Sequence, residues 1–190
     1  MARKLDQILV VDVEATCWEG DPPPGQINEI IEVGLCVLDV AKLTRVERRD
    51  ILVRPVRSTV SPYCTQLTTL TQADVDGGVP LAEVCRMLTQ EYQAPARLWA
   101  SYGDYDRRQF ESNCRDLGIA YPFGPSHLNV KTLLAAALGS KREAGMSEAL
   151  RSIGLPLEGT HHRAGDDAWN IAAILSELLR RARQGPTGPG

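Results

Sequence analysis

The stretch "ILVVDVEATC", residues 8–17, constrains what this chain can fold into more than any other part of it. An apolar run of strand length ends in two carboxylates, Asp12 and Glu14, with one valine between them. Side chains alternate across a strand, so Asp12 and Glu14 share one face while Val11 and Val13 take the other. Two anions held side by side each resist ionising beside the other, so something must compensate for them.

The rest of the chain supplies a sheet for that strand. "NEIIEVGLCVLDV" reads as a second strand and "RRDILVRPV" as a third that stops at Pro55, with the short "AKLTRVE" as a hairpin-like connection. "WEGDPPPGQ" is a turn-rich loop. Thr71 caps a short helix that runs to Gly77, and another helix starts near Pro80 and runs to about Tyr92. "RLWASYG" reads as a buried fourth strand, followed by a helix that Gly118 closes. "HLNVKTLLAAALG" is a brief strand entering a helix, and "SEALRSIG" is a helix capped by Ser147. In the last helix Ala168, Ile171, Ala172, Leu175, Leu178 and Leu179 form an apolar stripe at helical period. Three early strands, then strands alternating with helices, predict one mixed α/β domain with helices on the faces of a central sheet. Sites in such folds gather at the carboxyl ends of strands, where Asp12 and Glu14 fall. The domain is expected over residues 1–184, with 185–190 as a flexible tail.

With 190 residues the chain has room for one sizeable core and is short for two. A formal net charge of −3 argues against a long basic groove for duplex nucleic acid. It leaves local grip on a strand end open, since the arginines bunch: Arg45, Arg48 and Arg49; Arg107 and Arg108; Arg180, Arg181 and Arg183. A solvated face is the plainer reading of each bunch. Five scattered cysteines without C-x-x-C spacing point to reduced thiols and a cytoplasmic setting, with no zinc site. No signal peptide and no apolar segment of membrane-spanning length is present, so no membrane partner is expected.

Acids recur at two other element boundaries. Asp104 and Asp106 lie where the fourth strand passes into a helix, and Asp166 and Asp167 open the last helix after His161 and His162. Each has a plain role available, as a helix cap or at the positive end of a helix dipole. Together they form a carboxylate set that suits Mg²⁺ or Mn²⁺ rather than zinc. Two such ions can clamp the attacking and leaving oxygens of a phosphoryl displacement, and a histidine can take the proton from water.

In that light the strand-borne D-x-E, the mid-chain acid opening a helix, and H-x4-D near the C-terminus resemble the DEDDh branch of the RNase T and proofreading-type 3′–5′ exonucleases. "VVDVEATC", "NEIIEVG", "LTTLTQADVDGG" and "HRAGDDAWNIA" look closer still to the Eri-type 3′ exoribonuclease subgroup, over about residues 7–183. The resemblance implies an RNase H-like fold: a mixed sheet of about five strands, the first three antiparallel, flanked by helices. It implies two Mg²⁺ or Mn²⁺ ions held by Asp12, Glu14, Asp106 and Asp167, with His162 as general base. Asp106 fits the family position better than Asp104, and alignment on "DDxxNIA" selects His162 and Asp167 over His161 and Asp166.

The implied reaction is hydrolysis of the 3′-terminal phosphodiester of single-stranded or overhanging RNA or DNA, RNA favoured, releasing nucleoside 5′-monophosphates. Ala15, Thr16, Leu67, Thr68, Tyr105 and His162 are then the expected substrate contacts, and Trp18 could lie over a base. The competing class is a silent nucleic-acid-binding module that keeps the fold without the chemistry. A phosphatase acting on small phosphate esters shares the carboxylates but leaves the order of the motifs unexplained.

Overall fold

The computed structural model describes residues 4–185. β1 (Lys4–Ala15), β2 (Ile30–Asp39), β3 (Thr44–Leu52), β4 (Arg97–Ser101) and β5 (His127–Asn129) form one sheet in the order β3-β2-β1-β4-β5. β3–β2 and β2–β1 are antiparallel, while β1–β4 and β4–β5 are parallel. The sheet as a whole is therefore mixed. Seven α-helices surround it among the described residues: α1 (Pro62–Thr68), α2 (Gln72–Asp76), α3 (Leu81–Gln90), α4 (Tyr105–Leu117), α5 (Val130–Ala137), α6 (Met146–Ser152) and α7 (Ala164–Gln184).

The strand alternation sorts the core into two layers. Leu9, Val11 and Val13 of β1 pack with Leu35, Trp99 and Phe110 on the α3–α4 side. Ile8 and Val10 face the other way, against Ala168, Ile171 and Leu175 of α7 and Val130 of α5. Asp12 and Glu14 continue this second, even-numbered face, so β1 delivers them to the start of α7. Trp99 stacks on Phe123 at 4.2 Å, and Phe110 meets the same ring edge-on at 5.1 Å, which fixes α4 against β4.

Several local expectations shift. β3 starts earlier than the sequence suggests, at Thr44, so only residues 40–43 link it to β2. α1 was not foreseen: Ser61 caps it by accepting from the Cys64 N–H at 3.0 Å, and Pro62 occupies the first turn. Ser147 is not the cap of α6; Gly145 holds that position and Ser147 lies inside the first turn. Thr71 does cap α2, in a reciprocal box with Asp74. Of the tail, residues 186–190 lie outside the described residues. None of the described helices is long and apolar enough to cross a membrane.

Candidate active site

A cavity of about 330 Å³ opens at the carboxyl end of β1. Asp12, Glu14, Asp106, His161, His162 and Asp167 line it, with Ala15, Leu67 and Tyr105 at its edge. Three chain segments converge there, each for a local reason. β1 brings Asp12 and Glu14 by alternation. The turn after β4 opens α4, and Asp106 in the first turn of α4, 3 % exposed, accepts from the Val13 N–H at 3.0 Å. α4 is itself locked to the start of β2: Asn113 accepts from the Ile30 N–H at 2.8 Å and donates to the Asn28 carbonyl at 2.9 Å.

α7 brings Asp167, and a glycine makes its close approach possible. Gly34 is the cross-strand partner of Asp12, and a Cβ on it would fall on the backbone of Ala164 and Gly165. The helix start therefore rests directly on β2 beside Asp12. Glu32, wholly buried two residues earlier, accepts from the Ala164 N–H at 2.8 Å and from the Arg163 guanidinium at 2.7 Å. The sequence reading missed Gly34 and Glu32 as determinants of the site. A glycine inside a strand-length apolar run was the available signal for a close backbone approach.

The acids of each pair separate. Asp104 precedes α4 without a side-chain cap bond and faces Arg107 and His127. Asp166 accepts from the Thr160 N–H at 2.9 Å and pairs with Arg48, tying the histidine loop to β3. Asp106 and Asp167 are the two in the cavity.

The histidines relate to Asp167 differently. The His161 ring places Nδ1 3.1 Å from Asp167 Oδ2. His162 donates its backbone N–H to the same oxygen at 3.0 Å, while its ring stacks on His161 at 4.0 Å. Its φ of 64° is left-handed, a strained conformation for a residue with a Cβ. Burial, helped by neighbouring His161, pushes the His162 pKa down, which leaves its ring neutral at pH 7.

Two of the expected substrate contacts, Thr16 and Thr68, have their hydroxyls engaged inside the protein. Thr16 is buried, its hydroxyl donating to the Ile27 carbonyl at 3.0 Å and accepting from the Glu29 N–H at 2.9 Å. Thr68 is also buried, with its hydroxyl on the Cys64 carbonyl at 2.9 Å. Thr16 thereby ties the chain after β1 to the segment before β2, and Thr68 bonds back one turn within α1, because a wholly buried hydroxyl must find a partner inside the protein. Trp18 does not line the cavity. Most of the arginine bunches are taken up in ion pairs: Arg45 with Glu158, Arg48 with Asp50 and Asp166, Arg180 and Arg181 with Glu177.

The electrostatics of the cluster call for cations. Oxygens of Asp12, Glu14 and Asp167 lie within 4.8 Å of one another. At that range two like charges repel by roughly 3 kcal/mol or more at an effective dielectric near 20. Burial and the neighbouring acids accordingly raise Asp12 and Glu14, with Glu14 pushed up to about 8, and burial raises Asp167 against the pull of His161 and the His162 N–H. Burial raises Asp106 to about 6 against its hydrogen bonds from Val13 and Ser101. Cys17, the thiol in the cavity, is held up at about 12 by burial and by Cys64, so it stays protonated and does not compete as a ligand. Hard carboxylate oxygens with no ionised thiol fit Mg²⁺ or Mn²⁺.

A sequence profile of the RNase T family, described as an exonuclease, matches residues 9–175. The chain belongs to the RNase T exonuclease family. Within it, 3′-5′ exoribonuclease 1 of Rattus norvegicus is 28% identical over 186 residues, which cover 92% of this chain and 53% of that protein. ERI1 exoribonuclease 3 of Homo sapiens is 29% identical over 190 residues, covering 94% of this chain and 55% of the relative. The chain thus spans about half the length of the curated relatives it matches. Among solved structures of the family, the nuclease domain of 3′hExo, a DEDDh family member bound to rAMP, superposes with a TM-score of 0.83 at 26% identity. That match covers 97% of this chain and 96% of the other. The five-stranded mixed sheet with its flanking helices is the RNase H-like nuclease fold of this family.

Proposed function

We propose that this chain is a 3′–5′ exonuclease acting on single-stranded or overhanging 3′ ends, with RNA preferred over DNA. The observation that carries the reading is the convergence of Asp12, Glu14, Asp106 and Asp167 with two histidines around one cavity. RNA is favoured because the relatives are named exoribonucleases and the 3′hExo nuclease domain was solved with rAMP. Asp12, Glu14, Asp106 and Asp167 would hold two Mg²⁺ or Mn²⁺ ions. These would neutralise charge on the scissile phosphate and acidify the attacking water.

The residues of the chain account for the remaining steps. Ala15, Leu67 and Tyr105 border the cavity and hold the terminal nucleotide, with Tyr105 offering an exposed ring for stacking on any base. The Tyr105 hydroxyl, pushed up to about 12 by the desolvating walls of the cavity and by Glu14 and Asp106 although part of the residue is exposed, remains a neutral donor. His162, neutral at pH 7, takes a proton from the attacking water. The water oxygen bonds to phosphorus as the bond to the 3′ oxygen of the penultimate nucleotide breaks. That oxygen leaves on the shortened strand and takes up a proton. The released nucleotide keeps its 5′-phosphate.

The test is a matched set of RNA and DNA oligonucleotides, single-stranded and with 3′ overhangs, incubated with Mg²⁺, Mn²⁺ or a chelator. Release of 5′-mononucleotides from the 3′ end, fastest on RNA and lost in chelator, is expected. Strand binding with no release under either metal would instead identify a silent binding module.

A further inference from the structure

A second cavity, of about 400 Å³, lies beside the acidic one, between α5, the α5–α6 connection and α6. The two share a wall at Lys131, in the first turn of α5. Among the described residues Lys131 is the only lysine or arginine lining the acidic cavity. Its ammonium sits 3.8 Å from Glu143 and 6.0 Å over the Tyr102 ring. Tyr102 in turn donates to the Ala144 carbonyl at 2.8 Å, so this wall is fastened to the α5–α6 connection.

The second cavity has the features of a strand path. Its floor is aliphatic, with Leu134 buried and Leu138 40% exposed. Its rim carries Lys141 and Arg142. Arg142 is engaged by Glu148 at 2.7 Å, whereas Lys141 makes no ion pair within 4.0 Å among the described residues. An enzyme that cuts the last phosphodiester must still hold the next ones, and a cavity walled by four carboxylates repels them. The upstream phosphates need cations close by. On the α1 side the cavity is bordered by Leu67 and Cys17, which carry none.

We propose that the second cavity carries the substrate strand upstream of the scissile bond. Lys131 meets the phosphodiester next to the scissile one, Lys141 a phosphate beyond it, and the bases lie against Leu134 and Leu138. This rests on the exonuclease reading and adds the direction in which the strand leaves the site. The ligand is the sugar–phosphate backbone of a single strand, so the contacts are sequence-independent.

The experiment compares mononucleotide release from a dinucleotide and from a hexanucleotide of single-stranded RNA, with Mg²⁺. The enzymes are the wild type, Lys131→Ala, Lys141→Ala and the double variant. The double variant is expected to lose about tenfold more kcat/KM on the hexamer than on the dimer, mainly through KM, because phosphate contacts supply strand affinity. Its dependence of log kcat/KM on log salt should be shallower by about 0.7 for each lysine removed. Lys131→Arg and Lys141→Arg should restore both, and Lys42→Ala, a charge removed at the β2–β3 turn, should change neither. An unchanged hexamer-to-dimer ratio and salt slope in the double variant, with an active wild type, overturns the strand path alone. A wild type that releases no mononucleotide overturns the exonuclease reading and the strand path together.

Discussion

Glu32 and Arg163, 131 residues apart in the chain, form a forked ion pair directly under the site, with Nη2 2.7 Å and Nε 3.2 Å from the same carboxylate oxygen. The other oxygen of Glu32 takes the first free N–H of α7, from Ala164. One buried acid thus holds both the histidine loop and the helix that carries Asp167. Arg163 is only partly buried, so a neutral isostere at Glu32 lets it return to water. Glu32→Gln is expected to cost about 1–2 kcal/mol in urea unfolding at pH 5, with an unchanged m value. Glu32 is also one of the charges that raise Glu14, so the substitution should lower the pH at which Glu14 ionises. NMR titration of the Glu14 carboxyl carbon in chelator would read that shift.

Stability without metal should fall as pH rises. Glu14 goes from an ordinary 4.5 up to about 8, and Asp106 from 3.8 up to about 6. Between those limits the folded protein binds protons that the unfolded chain has released, so the unfolding free energy declines with pH. The benefit is complete below the ordinary carboxylate range and gone above about 8. Thermal unfolding in chelator should therefore give a lower Tm at pH 8 than at pH 5. Saturating Mg²⁺ should reduce the difference, and its binding at pH 7 should release protons, seen by calorimetry in buffers of different ionisation enthalpy. A Tm in chelator that climbs from pH 5 to pH 8 would contradict the crowding of these acids.

Asp106→Asn should separate stability from activity. The amide oxygen can still accept from the Val13 N–H, while one of the crowded charges disappears. At pH 8 in chelator the variant should melt higher than the wild type. Mononucleotide release should fall by about a hundredfold or more, since charge stabilisation at the phosphate is lost. The rise in Tm caused by Mg²⁺ should shrink as well. A variant that melts lower yet stays active would place Asp106 in a purely structural role.

What the sequence disclosed depended on how local the cause was. Asp12 and Glu14 were readable because strand alternation is a two-residue rule, and Val11 and Val13 do pack on the opposite layer. The stripe of α7 was readable because Ala168, Ile171, Ala172 and Leu175 repeat at the helical period and all meet the sheet. α1 escaped because it is seven residues long and buries only Cys64 and Thr68, too few to show a period. The turn of the Thr16 and Thr68 hydroxyls toward backbone carbonyls was not legible, because a hydroxyl beside a site looks the same in sequence whichever way it faces. Glu29 shows the same limit: it is buried and accepts from the N–H groups of Val56, Arg57 and Ser58, partners that no sequence spacing reveals.

The two histidines should respond differently to truncation. His162→Ala is expected to lower kcat by about 10²- to 10⁴-fold, the range for loss of a general base. His161 contacts Asp167 through Nδ1, so His161→Ala should mainly raise the Mg²⁺ concentration needed for half-maximal rate. Metal titrations of the rate for both variants make the comparison. Near-normal turnover in His162→Ala with loss of activity in His161→Ala would move the base by one residue.

Gly34→Ala tests how the acids are brought together. Gly34 of β2 lies directly across from Asp12 of β1, and its face of the sheet meets the start of α7 without a side chain between them. The atom in the way of a new Cβ is the Ala164 carbonyl, which cannot rotate aside as a flexible side chain would. Either β2 bows or the first turn of α7 lifts, and the overpacking should cost about 1–3 kcal/mol, toward the upper end because backbone must move. Asp167 sits in that first turn, so it would draw away from Asp12 and Glu14. A displacement near 1 Å is enough to lower turnover by about a hundredfold. Gly145→Ala is the contrast, since a Cβ there meets nothing within 4 Å and the fold should tolerate it. If Gly34→Ala matches the wild type in urea midpoint, Mg²⁺ requirement and turnover, the direct seating of α7 on β2 is not what aligns the carboxylates.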